Sequence, residues 1–301
     1  MSVIIITGVT GFLGSNLARS LLSDGHKIIA LKRRNSNLHR ILDIERDIIF
    51  YDVDNLEITK IFTVHGRVNI IIHAATAYGR GEEKALDVVG VNVIFPLKIL
   101  EAGINFKIDA FINVDSFYSG PANPGLRLPA YSLSKRQFSE WGRSLAEKNG
   151  IRFINLRLEH LYGPGDSISK FTAWIVYSCI NNINSIELTS GSQKRDFIFI
   201  KDAVSAFQVL IGSINKFSMG YAEFQLGTGK SISIRDFVEM VKLYSKSPIR
   251  LDFGFIPDHH GEINDSIANN KGLLDLGWKV SYMVESGVRE YVDAEILNVK
   301  L

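Results

Sequence analysis

Short apolar runs alternate with amphipathic stretches along the first half of the chain. The apolar runs that predict β-strands lie at residues 3–7, 27–31, 48–51, 68–73, 110–114 and 152–156. The amphipathic stretches that predict helices lie at residues 14–23, 84–102 and 132–148. Because strand and helix alternate, we expect a parallel sheet covered by helices on both faces. The right-handed crossover rule then favours a doubly wound topology.

This alternation changes near residue 162, where Tyr162-Gly163-Pro164-Gly165-Asp166 predicts a turn. The elements predicted after it are a helix at 170–181, a strand at 195–200, a turn at 227–229 and a helix at 233–245. We therefore expect two domains. The larger is formed by residues 1–162 and 194–229, and the smaller, C-terminal α/β domain by residues 163–193 and 230–301.

Composition narrows the class of protein. A chain of 301 residues that is 46% hydrophobic and carries a formal net charge of +2 is typical of a globular protein with a substantial core. The balanced charge gives no support for a nucleic-acid or membrane partner, and no apolar segment is long enough to span a bilayer. The single cysteine, Cys179, excludes an internal disulfide, so we expect a cytoplasmic protein.

A glycine-rich turn follows the first predicted strand. Its candidate ligand-binding residues are Gly8, Thr10, Gly11, Phe12, Leu13 and Gly14. The three glycines permit a tight turn, a close approach of phosphate to the backbone, and close packing of helix on strand. The N–H groups at the start of the next helix would then meet a pyrophosphate. An ordinary tight turn is the alternative, but the position between strand and helix favours a dinucleotide site.

Three further segments at predicted strand ends extend this site. The second strand ends in Lys32, Arg33 and Arg34, where folds that prefer NAD usually carry an acidic residue, so we expect NADP with NAD possible. A solvated basic turn is the alternative. Asp52 and Val53 close the third strand near the expected adenine, although such an Asp could cap a turn. The small residues that close the fourth strand are Ala74, Ala75 and Thr76; the preceding His73 is interpreted as a packed core residue.

Tyr131 and Lys135 are the candidate catalytic pair. They are four residues apart on a predicted helix, so both side chains lie on one face. A nearby ammonium lowers the pKa of a phenol, and the phenol could then donate or remove a proton during hydride transfer to or from a carbonyl. The spacing alone is common on helices, but after a polar strand end and in a chain with the glycine turn it predicts a nicotinamide-dependent oxidoreductase.

The chain resembles the extended short-chain dehydrogenase/reductases of the nucleotide-sugar epimerase/dehydratase group. The segments that carry the resemblance are the glycine turn, Asp52, His73-Ala74-Ala75, Asn92, Tyr131 with Lys135, Arg157 to Pro164, Arg195-Asp196-Phe197 and Gly227-Thr228-Gly229. Segments 113–118, 157–160, 163–166 and 266–270 are similar to the 4-ketoreductases of CDP-linked 4-keto-3,6-dideoxyhexoses, which act in O-antigen synthesis. The resemblance implies a Rossmann domain, a nucleotide-sugar domain, and a homodimer formed through the helices at 84–102 and 132–148.

The resemblance also implies further site residues. The residues that it implies for cofactor binding are Asn92, Lys135, Leu158 and His160. Those that it implies for substrate binding are Tyr78, Asp115, Ser116, Glu159, Lys170, Arg195 and His259. Arg195 would contact the diphosphate, with an ion pair to Asp196 as the alternative. Asp258, His259, His260 and Glu262 could suggest a metal, but adjacent histidines rarely share one ion, so no metal is predicted.

One departure from the family pattern concerns catalysis. Relatives place Ser or Thr four residues before the aromatic residue that matches Tyr118, and here that residue is Val114. Ser116 could supply the hydroxyl if the backbone bends; otherwise it only forms a turn. Dehydratases carry an Asp-Glu pair where this chain has Asp115 and Ser116, which argues against dehydration. We expect NADPH-dependent reduction of a C4 ketone; an NAD-dependent epimerase and a non-catalytic dinucleotide sensor are the alternatives.

Overall fold

The computed structural model describes residues 1–120, 128–259 and 261–299. The chain forms two compact units. The first comprises Met1–Leu158 and Phe207–Phe224, and the second comprises Glu159–Ala206 and Gln225–Leu301. Each unit is therefore built from two separate parts of the sequence.

The described residues contain fourteen strands and ten α-helices. The strands are β1 Val3–Thr7, β2 Lys27–Lys32, β3 Ile48–Asp52, β4 Ile70–His73, β5 Ala110–Ser116, β6 Arg152–Leu158, β7 His160–Tyr162, β8 Ser185–Leu188, β9 Lys194–Arg195, β10 Phe197–Phe199, β11 Gly220–Leu226, β12 Ile232–Ser233, β13 Arg250–Phe253 and β14 Asp265–Ser266. The helices are α1 Phe12–Ser23, α2 Thr59–His65, α3 Ala85–Val89, α4 Phe95–Asn105, α5 Pro129–Asn149, α6 Phe171–Ile180, α7 Ile200–Gly212, α8 Ile234–Ser245, α9 Lys271–Asp275 and α10 Val284–Val299. A π-helical segment, Gly90–Ile94, joins α3 to α4.

The central sheet has seven strands in the order β11-β6-β5-β4-β1-β2-β3. Strands β1 to β6 pair in parallel, with Ile5 opposite Ile29 on one side and Ile71 on the other. The order reverses between β1 and β4, which is the pattern of a doubly wound sheet. The predicted fold class is confirmed.

An apolar row that crosses the sheet forms the core of the first unit. Ile29, Ile5, Ile71, Phe111 and Phe153 are neighbours in register and belong to one buried cluster. In-register residues of a sheet point to the same face, so the row presents one continuous apolar surface. Residues of α2, α4 and α5 pack in the same cluster. Helix α1 instead contacts β1 and β2.

Gly142 lets α5 pack directly onto this row. A Cβ atom added at Gly142 would lie 2.1 Å from Cζ of Phe153, far inside van der Waals contact. The Phe153 ring is itself stacked on Phe111, with 5.4 Å between ring centroids. The helix can therefore lie against the sheet only because residue 142 has no side chain.

The second unit is built around aromatic side chains. Its small sheets have the strand orders β10-β7, β12-β9-β14 and β13-β8. Tyr162 from β7 makes ring contacts with Phe199, Phe237 and Tyr291. Its hydroxyl donates a hydrogen bond to the carbonyl of Val284 at 3.2 Å. Within the described residues of both units, no helix combines the length and apolarity needed to cross a membrane.

Candidate functional site

The glycine turn after β1 has the geometry that its sequence predicts. Gly8 has φ 71°, and its carbonyl accepts the N–H of Gly11 at 2.9 Å. A Cβ at Gly8 would lie 2.6 Å from the backbone N of Ala75, and one at Gly14 would lie 2.1 Å from the Gly8 carbonyl oxygen. Side chains at these two positions would collide with the backbone. The turn is therefore a cradle that only glycine can form.

Helix α1 begins directly after this turn. Gly11 is its N-cap and provides no side chain to bond the first N–H groups. Phe12 and Leu13 open the helix, and Thr10 precedes its cap. Free N–H groups and the positive end of the helix dipole suit a phosphate group. The residues thus fit a dinucleotide pyrophosphate.

The ends of β2 and β3 lie side by side. Arg34 Nε donates to Asp52 Oδ2 at 3.2 Å, and the Arg34 backbone N–H donates to Asp54. Lys32 Nζ donates to the carbonyls of Arg33 and Arg34. The Arg34 side chain is 77% exposed, so solvent screens this ion pair and leaves it weak. Val53 follows in a short 3₁₀ turn that the Asp52 side chain caps.

His73 and Asn92 hold the segment after β4 in place. His73 is fully buried, and its Nδ1 is hydrogen-bonded to Thr7 Oγ1 at 2.9 Å. Burial keeps the pKa of His73 well below its usual value, so the ring is neutral. It packs between aromatic rings, consistent with its interpretation as a core residue. The hydroxyl of Thr7 also accepts the N–H of Ala75, which fixes the start of the segment.

Asn92 lies in the π-helical segment and is buried. Its Oδ1 accepts from the backbone of Ala77 at 2.8 Å and from Thr76 Oγ1. Its Nδ2 donates to the carbonyl of Ala77 and to Ser134 Oγ at 2.9 Å. Asn92 therefore ties the small-residue segment to α5 and orients the helix that carries Tyr131.

Ser116 and Tyr131 meet at the carboxyl end of β5. The Ser116 hydroxyl lowers the pKa of the Tyr131 phenol, although less than burial raises it, and Ser116 Oγ accepts the N–H of Tyr118 at 3.2 Å. The bend expected from the sequence is not needed, because β5 continues through Ser116 with φ −138° and ψ 148°. Alternate residues of a strand face the same side. Ser116 therefore presents its hydroxyl on the same face of β5 as Val114, two residues closer to the carboxyl end of the strand.

Tyr131 is almost completely buried, with 6% of its surface exposed. Its ring lies 5.1 Å from that of Tyr78 and 6.3 Å from that of Tyr118. Burial, and then the neighbouring Tyr78, raise its pKa well above the usual value. The sequence predicts the opposite direction, through Lys135, but here desolvation of the phenolate dominates. The phenol is protonated at neutral pH.

Lys135 lies beneath this phenol. Its Nζ is 6.0 Å from the centroid of the Tyr131 ring and donates to the carbonyl of Val114 at 2.8 Å. Burial lowers its pKa to about 8, while the carboxylate of Asp115 raises it in part. The structure thus brings Ser116, Tyr131 and Lys135 together at one strand end.

Asp115 points into the protein interior. Its Oδ1 accepts the N–H of Ser116 at 2.8 Å, and its Oδ2 accepts from Ser119 Oγ at 2.7 Å and Asn155 Nδ2 at 2.9 Å. Its side chain is 0% exposed, and burial raises its pKa. Leu158, which is predicted to bind the cofactor, lies at the end of β6 and is half-buried. The sequence predicts Asp115 as a substrate ligand, but its carboxylate bonds to the chain itself.

The remaining predicted residues lie in the second unit. The hydroxyl of Ser266 donates to the Glu159 carboxylate, with Oγ 2.9 Å from Oε1 and 2.7 Å from Oε2, and Glu159 Oε2 lies 3.7 Å from His160 Nδ1. Burial lowers the pKa of His160, and Glu159 opposes that shift. Lys170 is the half-buried N-cap of α6, and His259 is exposed.

Arg195 is 4% exposed and bonded within the second unit. Its Nη2 donates to Glu262 Oε1 at 2.8 Å, and its Nη1 donates to the carbonyl of Ile263. Asp196, the partner considered from the sequence, accepts instead from Thr228, Gly229 and Ala268. His260 lies outside the described residues. Within the described part of the chain, no group of three potential metal ligands occurs.

Several residues at the strand ends are not predicted by the sequence pattern. Tyr118 contributes a ring beside Tyr131, Thr7 fixes His73, and Ser134 receives the Asn92 amide. Asn155 and Glu223 bond to each other at 3.2 Å near Asp115. Register between strands could have indicated Asn155, since it lies opposite Asn113. The others depend on contacts between residues distant in the sequence.

Comparison with known proteins agrees with this geometry. The model of the NAD dependent epimerase/dehydratase family matches residues 4–220. CDP-abequose synthase of Salmonella typhimurium is 33% identical over 293 residues, which cover 95% of this chain and 96% of that protein. CDP-abequose synthase of Salmonella muenchen is 34% identical over 288 residues, with the same coverage.

A solved structure agrees in fold. UDP-glucuronic acid 4-epimerase from Bacillus cereus, in complex with UDP-glucuronic acid and NAD, superposes with a TM-score of 0.83 and 19% identity. The match covers 99% of this chain and 100% of the epimerase chain. Because the family model matches most of its length and these relatives are so similar in sequence, this chain belongs to the NAD dependent epimerase/dehydratase family.

Proposed function

We propose that this chain is an NADPH-dependent reductase that converts the C4 ketone of a CDP-linked 4-keto-3,6-dideoxyhexose, or a closely related deoxy nucleotide sugar, to an alcohol. One observation carries the proposal. A protonated, buried phenol, Tyr131, lies beside the hydroxyl of Ser116, and the ammonium of Lys135 is 6.0 Å from the centroid of its ring. The substrate class rests on the similarity to CDP-abequose synthase over almost the whole chain.

The cofactor proposal rests on two features of the first unit. The cradle formed by Gly8, Gly11 and Gly14 would receive the pyrophosphate at the start of α1. Arg33 and Arg34 would meet the 2′-phosphate of NADP, because guanidinium groups bind phosphate through paired donors. Arg34 would exchange its exposed pairing with Asp52 for that phosphate at little cost.

In the proposed mechanism, bound NADPH supplies the hydride. Tyr131 donates its phenolic proton to the carbonyl oxygen as negative charge develops there. Its raised pKa means that the phenol carries the proton that reduction of a carbonyl requires. Ser116 would donate a hydrogen bond from its hydroxyl to the same carbonyl oxygen. Lys135 stabilises the phenolate that Tyr131 becomes and would bond the nicotinamide ribose.

The second unit is proposed to bind the sugar nucleotide. Glu159 and His160 would contact the sugar and the cofactor, and Arg195 would contact the diphosphate after leaving Glu262. Lys170 and His259 complete the proposed substrate set. The limits predicted from the sequence give residues 1–162 and 194–229 to the cofactor and residues 163–193 and 230–301 to the substrate. The two compact units divide the chain after residues 158, 206 and 224 instead, so Glu159, His160 and Arg195 belong to the second unit.

A homodimer is proposed through the helices at residues 84–102 and 132–148. Four large apolar side chains on these segments are exposed: Leu86, Ile94, Leu133 and Trp141. Leu133 and Trp141 are eight residues apart on α5 and so share one face of the helix. Such exposed side chains on neighbouring helices suit burial against a second copy.

The proposal is tested by an NADPH-oxidation assay with CDP-, dTDP-, UDP- and GDP-linked 4-keto sugars. We expect turnover that consumes NADPH, and preferred turnover of the CDP-linked compound. An epimerase would instead retain NAD stoichiometrically through purification and convert a 4-hydroxy nucleotide sugar without net oxidation. Binding of NADPH without turnover of any sugar in the panel would favour a non-catalytic dinucleotide sensor.

A further inference from the structure

The guanidinium of Arg195 is bonded to groups of its own chain. Its Nη1 donates to the carbonyl oxygens of Lys194 and Ile263, at 2.7 and 2.6 Å. Its Nη2 donates to Glu262 Oε1 at 2.8 Å. The side chains of Arg195 and Glu262 are 4% and 13% exposed, so solvent screens this ion pair far less than a surface pair. An internal carboxylate therefore neutralises the guanidinium.

The pairing of two short strands brings Glu262 to this position. Strands β9 and β14 pair in parallel, with Ser266 opposite Arg195. The N–H of Lys194 donates to the carbonyl of Asn264 at 2.8 Å, which holds the backbone before β14 beside β9. Glu262 lies two residues before Asn264. Its side chain therefore reaches the guanidinium from the segment that leads into β14.

Two other acidic residues of the same unit have different partners. The carboxylate of Glu159 accepts the hydroxyl of Ser266, whose Oγ lies 2.7 Å from Oε2. Asp196 accepts backbone N–H groups from the turn at residues 227–229, at 2.8 and 2.9 Å. The fold thus directs Glu262, rather than either of these acids, to the guanidinium.

A carboxylate and a phosphate are alternative ligands for this guanidinium. Both present negatively charged oxygens that accept paired N–H donors. Because two anions repel each other at short distance, a diphosphate that binds Arg195 must displace the Glu262 carboxylate. Breaking a buried ion pair is costly unless another anion replaces the lost partner. The exchange therefore favours a ligand that carries its own negative charge.

We propose that Glu262 is an internal competitor for the diphosphate of the nucleotide sugar, and that its carboxylate sets the affinity of this chain for nucleoside diphosphates. The inference rests on the proposed function, in which Arg195 binds that diphosphate. The competition disfavours uncharged ligands at Arg195, because they cannot replace the carboxylate. A Glu262 that only orients Arg195 has the opposite consequence, since its loss would weaken diphosphate binding.

The test is calorimetric titration of the full chain with CDP. Glu262→Gln keeps the size of the side chain and an oxygen that can accept from Nη2, but it loses the charge. We expect CDP to bind about 5- to 10-fold more tightly to this variant than to wild type, because a neutral hydrogen bond replaces a charged one. Asp265→Asn makes the same charge change at an exposed position three residues further along and should bind CDP as wild type does. Equal or weaker CDP binding by Glu262→Gln would overturn the proposal.

Cytidine shows whether the effect acts through phosphate. It has the base and ribose of CDP without the phosphates, so its affinity, measured by NMR at millimolar concentration, should not rise in Glu262→Gln. An equal gain for cytidine and CDP would refute competition for Arg195. Glu262→Ala, which also removes the charge, repeats both measurements if the Gln variant does not fold.

The nucleotide and the reaction are separated by two further arms. UDP, dTDP and GDP are titrated beside CDP, and failure of all four to bind either wild type or Glu262→Gln overturns the proposal. The NADPH-oxidation assay is independent of these titrations. Turnover together with unchanged diphosphate affinity in Glu262→Gln removes this inference alone, whereas tighter binding without turnover of any 4-keto sugar removes the reductase proposal alone.

Discussion

Replacing Ser116 by Ala tests whether its hydroxyl takes the place of the Ser or Thr hydroxyl that is expected at the position of Val114. The substitution removes the hydroxyl beside Tyr131 and the acceptor for the N–H of Tyr118, and it should leave the backbone of β5 unchanged. A single donor near a developing oxyanion is worth about 1.4–2.7 kcal/mol here, a loss of about 10- to 100-fold in kcat. NADPH binding should be unaffected, because the proposed pyrophosphate cradle is formed by other residues.

The assay is steady-state NADPH oxidation with the preferred 4-keto sugar, with NADPH affinity measured separately by fluorescence titration. Ser132→Ala is the matched control. Ser132 is a buried serine next to Tyr131, and its hydroxyl has no hydrogen-bond partner in the described part of the chain. We expect near wild-type kcat in the control. Equal rates for Ser116→Ala and wild type would refute a catalytic hydroxyl at this position.

Three other variants, the last with a glycine control, test the proton donor, the cofactor phosphate and the packing of α5. Tyr131→Phe should abolish turnover but leave NADPH binding intact in the same two assays, and retained turnover would remove Tyr131 as proton donor. Arg33→Ala combined with Arg34→Ala should weaken NADPH at least tenfold more than NADH in binding titrations, as expected from the loss of about 1.4 kcal/mol or more of phosphate contact; equal losses would contradict the 2′-phosphate assignment. Gly142→Ala should lower the free energy of unfolding by about 1–3 kcal/mol through overpacking, measured by urea denaturation. Gly212→Ala, a helical glycine with open space around it, should be neutral or slightly stabilising, and similar behaviour of the two alanine variants would refute the packing argument.

The sheet and the cofactor cradle were predictable because their signals are local. The spacing of apolar runs predicts the strands, and the glycines at 8, 11 and 14 occupy a turn between one strand and one helix. The role of Asn92 was less accessible. Its partners Ala77 and Ser134 are 15 and 42 residues away, so neither spacing nor periodicity reveals that its amide is used within the chain.

By itself, the sequence determined the doubly wound fold, the glycine turn and the placement of Tyr131 and Lys135 on one helical face. Only the tertiary structure decided how these groups behave. It brings Ser116 to Tyr131 along a straight strand, and it buries the phenol so that its pKa rises although a lysine lies nearby. It also commits Asp115 to interior partners. The physical reason is that local patterns encode dihedral angles and exposed faces, whereas desolvation and charge pairing depend on residues that folding brings together from distant parts of the chain.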